Sequence, residues 1–128
     1  MHAFRAAVEA QDLGAMSELM ADDIVFHSPF AFRPFVGRES VTGVLTGVMS
    51  TFEEFSYSDE LEDGDTATLI FNAKVGDKKV QGLDLVRTNA DGKIKELTVM
   101  LRPASALMAM GEAMAPKVDG LAKGDAPK

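Results

Sequence analysis

Four side chains in this sequence have the chemistry to act on a small molecule: Asp84, Tyr57, Ser28 and His27. Asp84 lies in the run Val80 to Arg87, where alternate residues are apolar in the manner of a half-buried strand. By parity it shares a face with Val80, Gly82 and Val86, so it is the one charge on an otherwise apolar surface. A carboxyl there is either held by hydrogen bonds or turned into a pocket, because burying it bare is costly. Desolvation raises a carboxyl pKa, which makes Asp84 a candidate general acid or base.

Tyr57 is the single tyrosine of the chain. It alternates with Phe55 and Leu61, which predicts a core position with the hydroxyl at a pocket rim. That hydroxyl either donates to a ligand carbonyl or has only a packing role. Ser28 has the same parity as Ile24 and Phe26 and so points inward. It cannot shuttle a proton near neutral pH, and its expected role is to orient a ligand. The same alternation sends His27 outward, under the loop that follows. A bulge would turn it inward, where it could form an acid–base couple with Asp84. One histidine and one acid lack the third ligand of a metal site. The chain has no cysteine and no phosphate-cradling glycine loop, so neither a metal nor a cofactor is implied.

The elements that must position these groups follow from periodicity. Phe4, Ala7, Val8 and Gln11 have helical spacing. Asp12 can cap a second helix with Leu13, Met16, Leu19 and Met20 on its buried side. Ile24 to Ser28 reads as a short strand. Pro29 and Pro34 bracket a loop carrying Phe30, Phe32, Arg33 and Phe35, either packed on the helix ends or serving as a lid over an apolar ligand. Arg33 is either a carboxylate-binding group at the pocket mouth or simply solvated. Gly37 opens a third helix with an apolar stripe from Val41 to Phe52. The period then changes to two. Strands are expected around Phe55–Leu61, Ala67–Val75, Val80–Arg87 and Ile94–Leu101, with turns at Asp63-Gly64-Asp65, Val75-Gly76-Asp77-Lys78 and Asn89-Ala90-Asp91-Gly92. A Met-rich helix runs from Ala104 to Met114. Residues 1–115 form one domain, and residues 116–128 are expected to be a flexible tail.

Length and composition agree with this organisation. The chain has 128 residues, 46% hydrophobic and 26% charged, which suits one folded domain and excludes global disorder. Its longest apolar stretches fall far short of the ~20 residues a bilayer requires, and no cationic leader with a long apolar core is seen, so a cytoplasmic location is expected. The net charge is −7, with seven acids and no bases between Glu53 and Asp65, which disfavours nucleic acid as a partner.

Helices followed by an antiparallel meander make an α+β fold. At this point the sequence resembles the nuclear transport factor 2-like superfamily, which includes ketosteroid isomerase and the SnoaL-like polyketide cyclases. The resemblance is carried by Ala10-Gln11-Asp12-Leu13, Ala21-Asp22-Asp23, His27-Ser28-Pro29, Gly37-Arg38-Glu39-Ser40-Val41 and Leu83-Asp84-Leu85-Val86-Arg87 with the turn after it, and it spans about residues 3 to 103. It implies a cone: a curved antiparallel sheet wrapped around helices, with an apolar pocket. Matched by motif, the isomerase's helical tyrosine falls on Phe4, its base aspartate on Ser28 and its second aspartate on Asp84. The resemblance therefore implies a small apolar ligand and, with Asp84 as acid or base, isomerisation, cyclisation or dehydration of a carbonyl compound by proton transfer. The alternative is a non-catalytic carrier or a dimeric interaction module of the same fold. A homodimer through the outer sheet face is also expected, because parity places Ile70, Leu83, Leu85, Thr98 and Met100 there.

Overall fold

The computed structural model describes residues 2–119. Two short helices open the chain, α1 (Ala3–Glu9) and α2 (Leu13–Glu18). Asp12 caps α2, its Oδ1 accepting from the Ala15 amide at 3.0 Å. Strand β1 (Met20–His27) begins four residues earlier than its β-forming core suggests, and β2 (Phe35–Val36) pairs with it inside the predicted loop. Helix α3 (Arg38–Thr51) follows, and then the meander β3 (Glu53–Asp63), β4 (Thr66–Val75), β5 (Lys78–Thr88) and β6 (Ile94–Arg102). Helix α4 (Ala104–Val118) ends the described chain. No helix among the described residues is long and apolar enough to cross a membrane.

The α+β class and the four-stranded antiparallel meander are as expected. The six strands lie in the order β2-β1-β6-β5-β4-β3. Strand β1 joins β6 in parallel, with Phe26 beside Leu97, so the complete sheet is mixed. Its ladders slip at four places, between Met20 and Val25, Glu53 and Ser56, Tyr57 and Asp59, and Arg87 and Thr88. Such irregularities add local twist and bend, which curves the sheet toward the helices. The turn before β6 is held by Asn89, whose Oδ1 accepts from the amides of Asp91 (2.9 Å) and Lys93 (3.0 Å), while Gly92 takes the positive φ of 77°.

The core lies between the inner sheet face and the helices. Parity along β4 and β5 holds without a break: Ala67, Leu69, Phe71, Val80, Gly82, Asp84 and Val86 are all buried. Along β3 it does not hold. The slip between Tyr57 and Asp59 exchanges the faces, so Glu60 turns toward the inner side opposite Leu69, and Leu61, expected to pack inward with Tyr57, is 65% exposed. A second departure is at the C-terminus. Residues 116–118, assigned by composition to a flexible tail, continue α4, and Val118 packs against the core. The rest of that expected tail, from residue 120, lies outside the described residues. The close approach of α3 to α4 uses Gly47, where a Cβ would stand 3.0 Å from Met114 Cε and 3.2 Å from Lys117 Cβ.

Candidate functional site

Side chains from both halves of the chain enclose a cavity of about 650 Å³. It lies within the size range of small-molecule sites. Phe4 and Val8 of α1, Leu45 and Met49 of α3, and Met110 and Met114 of α4 form one wall. Phe71, Leu97, Val99 and Leu101 of the sheet form the other. The methionines of α4 thus divide. Met110 and Met114 are buried and face the cavity, while Met108 is exposed.

Asp84 and Tyr57 meet on the sheet wall. The Tyr57 hydroxyl donates to Asp84 Oδ2 at 3.2 Å, and both side chains line the cavity. The pairing follows from strand order: β3 and β5 flank β4, and Tyr57 and Asp84 sit either side of Phe71 and Leu69 on the inner face. Burial pushes the Asp84 carboxyl up from 3.8 to about 7, and the Tyr57 hydrogen bond opposes that shift. Burial also pushes the Tyr57 hydroxyl far above its ordinary value, reinforced by the charge of Asp84, so it stays protonated and donates.

The other two candidate residues are placed apart from this pair. Ser28 stands at the rim between the cavity and a groove on the outer face, and its Oγ accepts from the Phe30 amide at 3.3 Å. His27 does not enter the cavity. The register Val25–Glu96, Phe26–Leu97, His27–Thr98 is unbroken, so no bulge turns it inward. Instead its Nε2 lies 2.9 Å from Glu96 Oε2 on the outer face, and Arg87 Nε lies 3.4 Å from the other oxygen of that carboxylate. The couple of His27 with Asp84 is therefore not formed. Among the described residues no group of three or more His, Cys, Asp or Glu could hold a metal ion.

The three loop phenylalanines also separate. Phe35 is buried in β2 with its ring centroid 6.3 Å from that of Phe26. Phe32 is exposed beside the outer groove. Phe30 lies across the cavity mouth on α4, where a Cβ added to Gly111 would be 3.3 Å from its ring. Around it the mouth carries the exposed Glu9, Gln11, Arg33 and Glu54. Gln11 and Glu54 both hold positive φ, 54° and 52°, a conformation uncommon outside glycine.

Sequence reasoning left Arg5 out altogether. Its guanidinium carbon sits 5.5 Å from the centroid of the Tyr57 ring. Its one local signal is the i,i+4 spacing to Glu9; Tyr57 and Glu60, the groups that give it a place at the site, are in β3, more than fifty residues away.

A family model described as a SnoaL-like domain matches residues 1–97. Among curated proteins nothing matches. Among solved structures, the chain is similar to a steroid delta-isomerase from Pseudomonas aeruginosa, at 36% identity over 90% of this chain and 85% of that one, with a TM-score of 0.85. It is also similar to an uncharacterized bacterial protein with a cystatin-like fold from Silicibacter pomeroyi, at 30% identity over 92% and 84% of the two chains, with a TM-score of 0.87.

Proposed function

Since the chain belongs to the family of SnoaL-like domains, we propose that it binds a small, largely apolar carbonyl compound in the inner cavity and transfers protons on it, with Asp84 as the acid–base group. The observation that carries this reading is a buried carboxyl on the wall of a largely apolar cavity, hydrogen-bonded to Tyr57 through one oxygen and pushed by burial up to about 7. A carboxyl with that pKa is populated in both forms at neutral pH. Protonated, its Oδ1–H donates to the carbonyl oxygen and acidifies the adjacent C–H bonds; ionised, the same carboxylate takes the proton from such a bond and returns it to another carbon of the ligand. Acidifying those bonds is the requirement that isomerisation, cyclisation and dehydration share. Ser28 at the rim orients the far end of the ligand, and Tyr57 orients the carboxyl. The similarity to a steroid delta-isomerase supports an isomerase-type reaction. The departures at Phe4 and Ser28, which lack a phenol and a carboxylate, favour a second reading in which the same ligand is bound but not turned over. A cysteine-free chain suits work in the cytoplasm.

The test is displacement of an apolar fluorescent probe by a cyclic ketone and by the cycloalkane of the same size. Between pH 5 and 6 the ketone is expected to bind at least about fivefold more tightly than the hydrocarbon, one hydrogen bond being worth roughly 1 kcal/mol or more in a dry site. The advantage is expected to fade above pH 7, as Asp84 loses the proton it donates. In Asp84→Asn, whose amide keeps a donor, it should persist without pH dependence. Val99→Trp, which fills the cavity from the sheet, should block both ligands. Equal binding of ketone and hydrocarbon at every pH would refute the role given to Asp84. Incubating the bound ketone in deuterated water separates enzyme from carrier, because only an enzyme exchanges the hydrogens beside the carbonyl.

The outer sheet face is proposed to pair two copies of the chain. Met100 is 52% exposed there and Ile70, Leu83 and Leu85 are half-buried; of the α4 side chains that could cover them, Met110 faces the cavity, Met108 is exposed and Leu107 reaches the groove beside Leu85 and Met100. Size-exclusion chromatography with light scattering should give twice the chain mass of 13.7 kDa, and Leu83→Asp with Leu85→Lys should halve it. The single-chain mass at roughly tens of micromolar wild-type protein would exclude this interface.

A further inference from the structure

Tyr57 does not stand alone against Asp84. Over its ring α1 places Arg5, which is not among the residues that line the cavity. The guanidinium carbon is 5.5 Å from the ring centroid, within reach of a cation–π interaction. Two carboxylates hold it there. Arg5 Nη1 donates to Glu60 Oε1 at 3.3 Å, and Arg5 Nε lies 3.5 Å from Glu9 Oε1 one turn along α1. Glu60 is in turn fixed by the His2 amide, which donates to its Oε2 at 2.9 Å. The slip in β3 makes this possible, because it puts Tyr57 and Glu60 on one side of the strand despite their odd spacing.

The geometry points to Arg5 as a positioning residue that acts on Asp84 through the Tyr57 ring. The chain of contacts runs Glu60–Arg5–Tyr57–Asp84, from half-exposed surface to cavity wall. A cation over the ring face withdraws electron density from the phenol, which makes its O–H the stronger donor. A stronger donor favours the ionised form of the carboxyl that accepts from it. Arg5 thereby opposes the desolvation that drives Asp84 upward, and keeps the carboxyl within reach of neutral pH. The charge of Arg5 also pulls the Tyr57 hydroxyl toward greater acidity, against the larger effect of burial. The other charged groups around the pair are few. Glu9 comes from α1 and Glu60 from β3, with Glu54 and Arg33 at the mouth and the His2 ring 3.9 Å from Glu62 beyond Glu60. Strands β4 and β6 and helices α3 and α4 present apolar lining: Phe71, Leu97, Val99, Leu45 and Met114.

This inference rests on the reading of Asp84 as the acid–base group, and a double-mutant cycle keeps the two separable. The carboxyl carbon of Asp84 is titrated by NMR in the wild type, Arg5→Met, Tyr57→Phe and the double variant. Arg5→Met is expected to raise the Asp84 midpoint by about half a unit or more, and Arg5→Lys to bring it most of the way back. In the Tyr57→Phe background, the Arg5 substitution is expected to move it by less than about 0.2 units. The chain holds one tyrosine, so ring-carbon labelling gives a single resonance, which should move in Arg5→Met and return in Arg5→Lys. An unmoved midpoint in Arg5→Met overturns the inference. So does an equal shift with and without the Tyr57 hydroxyl, which would make Arg5 a direct field on Asp84. Arg5→Gln carries the same cycle if Arg5→Met does not fold. A wild-type midpoint near the ordinary carboxylate value would instead sink the acid–base reading itself, and the cycle would still decide whether Arg5 acts through Tyr57.

Discussion

Asp84→Asn is expected to stabilise the protein at pH 8 and to leave its stability nearly unchanged at pH 4. The cause is the proton that folding makes Asp84 hold. In the folded chain, burial lifts its carboxyl to about 7. In the unfolded chain it titrates near ~3.9. Between those values the folded state binds a proton that the unfolded state has released. The stabilising contribution is therefore complete below pH ~4 and is lost as pH rises through about 7. The slope is at most ~1.4 kcal/mol per pH unit, so the whole interval is worth up to roughly 4 kcal/mol. Asparagine has no such proton to lose. Its carbonyl still accepts from Tyr57, so the pair survives in outline. Thermal melts of both proteins from pH 4 to 8 should show the variant pulling ahead by on the order of 10 °C at the alkaline end. The remaining acids of this chain, which carries a net charge of −7, affect both proteins alike. A gap that stays constant with pH would show that Asp84 does not titrate in that interval.

Gly82→Ala is expected to be among the most damaging single-methyl changes in the chain. Gly82 stands opposite Phe71 in the β4–β5 ladder, and the Phe71 ring lies directly over it. A Cβ at Gly82 would run into that ring, with both Cε atoms 2.6 Å away. Val99 lines the cavity, but at Gly82 the Phe71 ring has taken the space. The ring cannot swing aside freely. It stacks on Phe55 at 4.8 Å and meets Phe52 edge-on at 5.5 Å and Tyr57 at 6.2 Å. Overpacking of this kind costs about 1–3 kcal/mol, and a clash with a ring held in an aromatic cluster belongs at the upper end. The same displacement pushes Tyr57 and loosens its bond to Asp84. Urea denaturation should register the loss of stability, and the ketone preference should shrink with it. Phe71→Leu in the Gly82→Ala background should recover at least ~1 kcal/mol by vacating the volume. If Gly82→Ala unfolds at the wild-type urea concentration, the ring is mobile and the cluster is not the rigid support described above.

Much of this was legible from residue types in order. The caps and turns are local, so Asp12, Asn89 and Gly92 could be assigned from their neighbours alone. The inner face of β4 and β5 followed from a period of two, and with it the one carboxyl on that face, Asp84. The outward direction of His27 followed from the same rule, and the slip in β1 ends before Val25, so no bulge acts on His27. These features depend on the backbone's own repeat, which each residue carries with it.

What the repeat could not supply is how strands meet. One slipped residue after Tyr57 exchanged the faces of β3, exposing Leu61 and bringing Glu60 to the side where it holds Arg5. Strand order placed Tyr57 and Asp84 across Phe71, and a parallel pairing with β6 carried β1 to the far side of the meander. The turn of α4 onto α3 over Gly47 closed the cavity with Met114 and Val118, residues whose composition had suggested filler and tail. Sequence alone determined which residues share a face. Register, bulges and helix docking, set by contacts between residues tens of positions apart, decided which of those faces enclose a cavity and which side chains touch within it.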